Sequence, residues 1–290
     1  MPSLSIVIPS AMRADLLARC LSSVVGYAPG QTEIIVVDDG SPDGIASDVA
    51  CRFHGVRVLR LPQTAGFCIA ANVGIASATG EVVELLNDDT EVTPGWATAA
   101  LARFERKDTV AVAPLVLQLS PDRSNVLIDS AGDEYDYGGF ARKRFHDQPL
   151  TAENGAVREA KPVWGASASA AFYRREALVA AGMFPPDFGA YFEDVDLAHR
   201  LQPFGTTWFE PGCTVWHRVS SSYGRAQNAA LLEQQSRNEE RVFWRNVTGM
   251  RLLANLPRHV AVLVAKAAKR WQEGQFSPWI SGRWKAWTGR

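Results

Sequence analysis

Apolar side chains in the first half of the chain fall into short runs separated by stretches of helical period. Leu4 to Pro9 reads as a buried strand, and Asp15 to Val25 puts Leu16, Leu17, Cys20, Leu21, Val24 and Val25 on one helix face. Glu33 to Val37 predicts a second strand, Val56 to Leu61 a third, Ile69 to Ala78 a helix of small residues, and Val82 to Leu86 a further buried strand. Strand alternating with helix in this way predicts a parallel sheet with crossovers. Trp96 to Lys107 then predicts a helix and Val110 to Leu119 a strand. Asp129 to Arg144, rich in Gly and charge, predicts a loop or short hairpin that could shape a pocket. Ala166 to Tyr173 alternates small and aromatic residues, and Arg175 to Ala181 predicts a short helix closed by Gly182.

Two of the strands end on acids. Glu33 to Val37 runs into Asp38-Asp39, and Val82 to Leu86 into Asn87-Asp88-Asp89, at the edge where open α/β sheets bind ligands. Adjacent carboxylates there are costly unless a divalent cation or a hydroxyl-rich ligand sits between them, although Asn and Asp also suit a solvated turn. A third cluster, Glu193-Asp194-Val195-Asp196, opens a helical period in which Asp194 shares a face with Leu197, Ala198 and Leu201 while Asp196 faces Arg200. Asp194 should then point inward, where lost hydration raises its pKa from about 3.9 and improves it as a proton acceptor. A first-turn acid favoured by the helix dipole is the alternative. Cys213 to His217 reads as a strand ending on a histidine, either structural or completing an Asp-based metal site.

A chain of 290 residues, 47% hydrophobic and 21% charged, can bury a sizeable core as one large domain or one domain with an appendage. Its net charge of -1 gives no reason to expect nucleic acid as a partner. Cys20, Cys51, Cys68 and Cys213 have no CxxC spacing, which suits reduced, packed thiols in a cytoplasmic protein better than zinc. No signal peptide is expected, and no stretch approaches the roughly 20 apolar residues of a spanning helix. Basic character is local: from Arg258 onward seven Lys or Arg face a single acid, Glu273, and Trp244, Trp271, Trp279, Trp284 and Trp287 all fall after Ala226. That composition predicts a helical tail that either lies on the inner membrane surface or packs on the preceding domain or a second subunit.

The order and spacing of SIVIPS at Ser5, EIIVVDDGSPD at Glu33, AANVGIASATGEVVELLNDDTEV at Ala70, DSAG at Asp129, GASASAAFYRREAL at Gly165 and GMFPPDFGAYFEDVDLAHRL at Gly182, followed by His217, resemble family 2 glycosyltransferases of the GT-A fold. The pattern is most similar to their rhamnosyltransferase-like bacterial branch, from Ser5 to about Ser222. The resemblance implies an α/β architecture: a mostly parallel, Rossmann-like sheet flanked by helices over residues 1–225, with a nucleotide-binding half to about 110 and an acceptor half over 111–225, then a helical appendage over 226–290. It also implies an inverting, metal-dependent transfer of one sugar from a UDP-, dTDP- or GDP-sugar to a hydroxyl of a glycan or lipid-linked acceptor, in surface polysaccharide or cell-wall synthesis.

Carried over by position, Asp38 would hold the nucleotide base, with Asp39, Pro9 and Ser10 shaping its pocket and Asn72 and Gly74 adding to it. Asn87-Asp88-Asp89 matches the Asp-x-Asp motif, with Asp88 toward ribose and Asp89 a ligand of Mn²⁺ or Mg²⁺. His217 matches a second metal ligand and Asp194 the general base. The family's aromatic-Asn pair is Ala11-Met12 here, the Asn before Gly-Phe is Thr64, and the first Asp of Asp-x-Asp is Asn87. Those departures keep a catalytically silent nucleotide-sugar or glycan-binding relative as an alternative. A sugar-phosphate nucleotidyltransferase would need a Gly-rich basic loop where Arg13 stands alone. Gln234 and Arg237 are followed by Asn238, so the Gln-x-x-Arg-Trp of processive synthases is not met, which implies a single transfer per event.

Overall fold

The computed structural model describes residues 1–119, 126–151, 155–218 and 228–289. The domain boundary expected at 225/226 and the end of the resemblance near Ser222 lie outside them. β1 (Leu4–Ser10), α1 (Ala14–Tyr27), β2 (Glu33–Asp38), α2 (Ile45–Ala50), β3 (Val56–Arg60), α3 (Phe67–Ser77) and β4 (Val82–Leu86) form the alternating first half. Their strands lie parallel in the order β3-β2-β1-β4, as the periodicity predicts. Side chains of β1 alternate between two buried layers. Leu4, Ile6 and Ile8 meet α1 and α2 on one face, and Val7 meets α3 on the other.

The chain continues through β5 (Thr90–Val92), α4 (Trp96–Arg103), β6 (Thr109–Gln118), β7 (Ile128–Ser130), β8 (Asp133–Asp136), β9 (Phe140–Lys143), β10 (Lys161–Val163), β11 (Ala170–Arg174), α5 (Arg175–Ala180), α6 (Glu193–Leu201) and β12 (Thr206–His217). Here the sheet becomes mixed. β11 runs antiparallel between β4 and β6, β12 is parallel to β6, and β5, β7 and β10 pair antiparallel at the margins. The Asp129 to Arg144 stretch contains the β8–β9 hairpin. Cys51 is exposed, unlike the other three thiols.

Gly74 serves packing. A Cβ there would fall 2.2 Å from Val7 Cγ1 and 3.0 Å from Val37 Cγ2, so the bare glycine lets α3 settle on the sheet.

The C-terminal helices α7 (Ala229–Asn246), α8 (Gly249–Gln272) and α9 (Phe276–Thr288) are organised around one buried acid. Glu240 accepts from Arg283 at 2.7 Å, from Trp244 at 2.6 Å and from Trp287 at 3.1 Å, and lies 3.3 Å from His259 Nε2. Burial would raise its carboxyl, but His259, Arg283 and Trp244 outweigh it and bring the pKa down to about 2. Ser236 donates to the Trp279 carbonyl at 2.7 Å, and a Cβ on Gly282 would meet the Glu233 carbonyl at 2.2 Å, so α7 and α9 are in backbone contact. Asn246 in turn donates to Asp196 of α6 at 2.9 Å.

Glu240→Ala leaves the buried Arg283 guanidinium and the His259 ring without their shared carboxylate. The expected loss is about 3–5 kcal/mol, read from urea unfolding of the whole chain; a loss under about 1 kcal/mol would show that Glu240 is dispensable to the tail.

Candidate active site

The antiparallel β5–β12 ladder sets His217 opposite Thr90, and the Arg218 amide donates to the Asp89 carbonyl at 3.0 Å. That pairing brings His217 Nε2 to 3.3 Å from Asp89 Oδ1. Asp88 and Asp89 are both buried. Ser10, at the end of β1, donates to Asp88 Oδ2 at 2.7 Å, and the Arg13 guanidinium spans the acid pair, 2.5 Å from Asp88 Oδ1 and 2.7 Å from Asp89 Oδ2. Burial raises the Asp88 carboxyl to about 6, with Arg13 and Ser10 pulling against it.

Behind His217 lies Asp129, fully buried, with Oδ2 3.0 Å from His217 Nδ1 and 3.0 Å from Lys143 Nζ, and Oδ1 3.3 Å from His146 Nδ1. Burial would raise this carboxyl, but the two histidines and the lysine hold it well below the carboxylate range. Burial would likewise depress His217, yet Asp129 and Asp89 push it up to about 9. With Nδ1–H committed to Asp129, Nε2 is the nitrogen that faces Asp89, and a bound cation would take the place of the proton it carries there. An imidazole nitrogen and a carboxylate oxygen at that spacing suit two ligands of one ion, which lie about 3 Å apart for bonds of about 2.1 Å at right angles. The residues therefore fit the expected cation. Among the described residues no group of three or more His, Cys, Asp or Glu forms a ready cage, so a ligand would complete the coordination.

Asp194 opens α6. Its Oδ2 accepts from the Ala168 amide at 3.1 Å and its Oδ1 from the Val195 amide at 2.8 Å. Burial raises its pKa against those amides and the nearby Lys143. Asp196 faces Arg200 at 2.8 Å as the helical period predicts, but it is itself buried, whereas Asp194 keeps partial exposure. One residue beyond Ala168, the Ser169 carbonyl accepts from the Asn87 amide at 2.9 Å. A single short segment therefore fixes both the acidic strand end and Asp194. Just before α6, Tyr191 and Phe192 have φ of 69° and 65°, left-handed values that cost roughly 1–3 kcal/mol each for such residues. Side-chain amides of α7 hold them there. Asn238 donates to the carbonyls of Phe188, Ala190 and Tyr191 at 2.9, 3.0 and 2.9 Å, and Gln234 to those of Phe188 and Ala190 at 3.0 and 3.1 Å.

Other expected site residues are engaged elsewhere. Asp38 reaches the same sheet edge, but its carboxylate accepts from the Ser41 and Ser47 amides at 2.7 and 3.2 Å and from the Ser47 hydroxyl, closing its own turn. Asp39 accepts from the Ala65 and Gly66 amides at 2.7 and 2.9 Å, clamping the loop into α3. Pro9 lies within β1 opposite Val37. Asn72 exchanges hydrogen bonds with the Phe184 backbone at 2.8 and 3.0 Å, so both ends of its amide tie α3 to the segment before α6. The two acid clusters thus share an edge without sharing contacts. Sequence reasoning assigned no site role to Arg13, Asp129, Asp133 or Lys143, although the DSAG segment carried the signal for Asp129.

The profile of glycosyl transferase family 2 matches residues 5–180. Probable polypeptide N-acetylgalactosaminyltransferase 8 of Homo sapiens is 32% identical over 127 residues, which cover 40% of this chain and 20% of that protein. The crystal structure of GalNAc-T7 with UDP, GalNAc and Mn²⁺ superposes with a TM-score of 0.65 at 20% identity, covering 83% of this chain and 47% of that one. Mannosyltransferase PcManGT from Pyrobaculum calidifontis, in complex with GDP-Man and Mn²⁺, gives a TM-score of 0.63 at 18% identity, covering 98% and 87%. These likenesses establish a GT-A-like fold. The chain spans a quarter or less of the length of the first curated relatives it matches.

Asn238→Ala removes three hydrogen bonds from the strained stretch without touching the sheet. Amide exchange in residues 189–196 should quicken by at least about ten-fold while β1 and β4 keep their protection. Unchanged exchange in that stretch would show that the strain is held by other contacts.

Proposed function

The chain belongs to glycosyl transferase family 2, and on that premise we propose that it transfers one sugar from a nucleotide-sugar donor to a hydroxyl of a glycan or lipid-linked acceptor, with inversion at the anomeric carbon. The observation that carries this reading is the shared 168–169 segment, which binds Asp194 through one amide and the Asn87-Asp88-Asp89 end of β4 through the next carbonyl. A donor placed at the strand end then has a half-buried carboxylate on a neighbouring support.

Asp89 and His217 would hold a divalent cation, Mn²⁺ or Mg²⁺, whose contribution is to neutralise charge on the departing diphosphate. Asp129 keeps the His217 ring in the ligating tautomer by accepting from Nδ1. Arg13 contributes a second, fixed positive charge over the same acids and is within the family of groups suited to anionic phosphate. Asp194 takes the proton from the acceptor hydroxyl as it attacks from the face opposite the leaving group. Asn238 where processive synthases carry Trp supports release after one transfer. Surface polysaccharide or cell-wall synthesis on the cytoplasmic side is the process such a reaction would serve.

A donor screen tests the reading directly: release of nucleoside diphosphate is followed from UDP-, GDP- and dTDP-sugars with Mn²⁺ present. No release and no binding of any of these donors would favour a silent relative. Asp89→Ala should abolish metal-dependent donor binding, and donor affinity indifferent both to EDTA and to this substitution would remove the metal assignment. Asp194→Asn should keep donor affinity and lower turnover at least about 10²-fold. Because the folded pKa of Asp194 is raised, its ionised, proton-accepting form is present above that pKa and lost as pH falls through it. The acid limb of kcat should therefore lie above the usual Asp value of about 3.9. Near wild-type turnover in Asp194→Asn would move the base to another acid.

A further inference from the structure

Arg13 stands immediately before α1, on the short link that leaves the end of β1. Its backbone is anchored there, because its carbonyl accepts from the Leu17 amide in the first turn of the helix at 2.9 Å. Its side chain is not enclosed. It keeps 30% exposure, beside a Met12 that is 74% exposed, whereas the two carboxylates it grips are 1% exposed. The planar fork sets one nitrogen on each acid, Nη2 on Asp88 Oδ1 and Nη1 on Asp89 Oδ2. His217 Nε2 faces the other oxygen of Asp89, Oδ1. Asp89 is thus shared between a guanidinium and the ring nitrogen assigned to the cation. A buried acid pair needs a counter-ion, and that need alone would explain an arginine here. The shared carboxylate and the open outer face are what it leaves unexplained.

We propose that Arg13 holds the cation's place on Asp89 and turns its guanidinium to the donor's diphosphate once the cation is seated, an inference that rests on the metal assignment made above. Guanidinium and cation compete, because two positive groups on one carboxylate repel each other while dividing its charge. A divalent cation added to Asp88, Asp89 and Arg13 leaves that group net positive, and an anionic diphosphate restores the balance. The same fork that spans two carboxylates suits two phosphate oxygens. A long side chain with an open outer face can make that turn while its backbone stays on α1. Arg13 then opposes the cation when it arrives alone and favours it when the donor is present, which couples the two ligands.

The test follows Mn²⁺ binding to the full-length chain through the electron paramagnetic resonance signal of the free ion, first without nucleotide and then with UDP, GDP or dTDP. Without nucleotide, Arg13→Gln should bind Mn²⁺ at least about ten-fold more tightly than wild type, because the competitor for Asp89 is gone. With Mn²⁺ saturating, the same variant should bind the nucleotide that wild type prefers at least about ten-fold more weakly, having lost the group that meets the diphosphate. Gain and loss in one variant are the signature, since an Arg13 that only supports the fold would weaken both. Arg13→Lys keeps the charge and should bind free Mn²⁺ within about three-fold of wild type. The melting temperature of Arg13→Gln should fall below that of wild type and recover on adding Mn²⁺, as the cation takes over the acids. Mn²⁺ affinity in Arg13→Gln equal to or weaker than wild type, unchanged nucleotide affinity, or a variant that stays unfolded with Mn²⁺ present would overturn the inference. If wild type still binds Mn²⁺ and Asp89→Ala abolishes that binding, the metal assignment survives such a result. Mn²⁺ that binds neither wild type nor Arg13→Gln, with or without nucleotide, removes the metal assignment and this inference with it.

Discussion

Two neighbouring carboxylates buried at the end of β4 set the terms for everything around them. Like charges about 4 Å apart repel by roughly 4 kcal/mol at an effective dielectric constant of about 20, so Asp88 and Asp89 persist in the interior only with cations arranged against them. Arg13 bridges them from the start of the first crossover, and His217 approaches Asp89 from β12. His217 in turn needs Asp129, and Asp129 needs Lys143 and His146. Charge alternates outward through four layers. The mixed half of the sheet, the β8–β9 hairpin and the bulged β12 are the scaffold that brings those layers to one place.

A second constraint is backbone strain next to Asp194. Consecutive left-handed aromatic residues are not an arrangement that local preference would choose, and they persist because α7 supplies five side-chain hydrogen bonds to the carbonyls around them. Arg241 and Arg245 add ion pairs from α7 to Asp187 at 3.1 and 2.5 Å. The helices after the glycosyltransferase segment therefore belong to the site's support as well as to the surface. α9 packs against α7 in turn, so the Glu240 network that ties the two together also supports the helix that holds the loop.

The strands of the first half were legible because each is a short apolar run ended by turn residues, and each crossover has a helical period. The acids at the strand ends were legible too, since adjacent Asp residues after an apolar run are costly without a reason. What those side chains touch was not. Asp38 and Asp39 meet backbone amides of loops whose closure depends on tertiary folding, and Asn72 meets a carbonyl 112 residues away in sequence. Nor does an apolar run state the direction in which a strand will pair, so β11 could enter antiparallel without contradicting its pattern. Asp129 and Asp133 sit in a segment without period, where only the burial that folding creates separates them from surface acids.

That burial also decides how the second acid pair divides its protons. Asp133 and Asp194 are close enough to influence one another, and both carboxyls are pushed up first by loss of water. Their hydrogen bonds differ. Asp194 accepts from two backbone amides, which stabilise its ionised form, while Asp133 Oδ1 is buried without a hydrogen-bond partner among the described residues. The proton therefore belongs on Asp133 and the charge on Asp194, following the rule that environments which separate two carboxyls also assign their roles. Lys143 follows from this division. With Asp133 neutral, its ammonium is shared between Asp129, at 3.0 Å, and the more distant charge of Asp194, so one cation links the support of His217 to the carboxylate that must accept a proton.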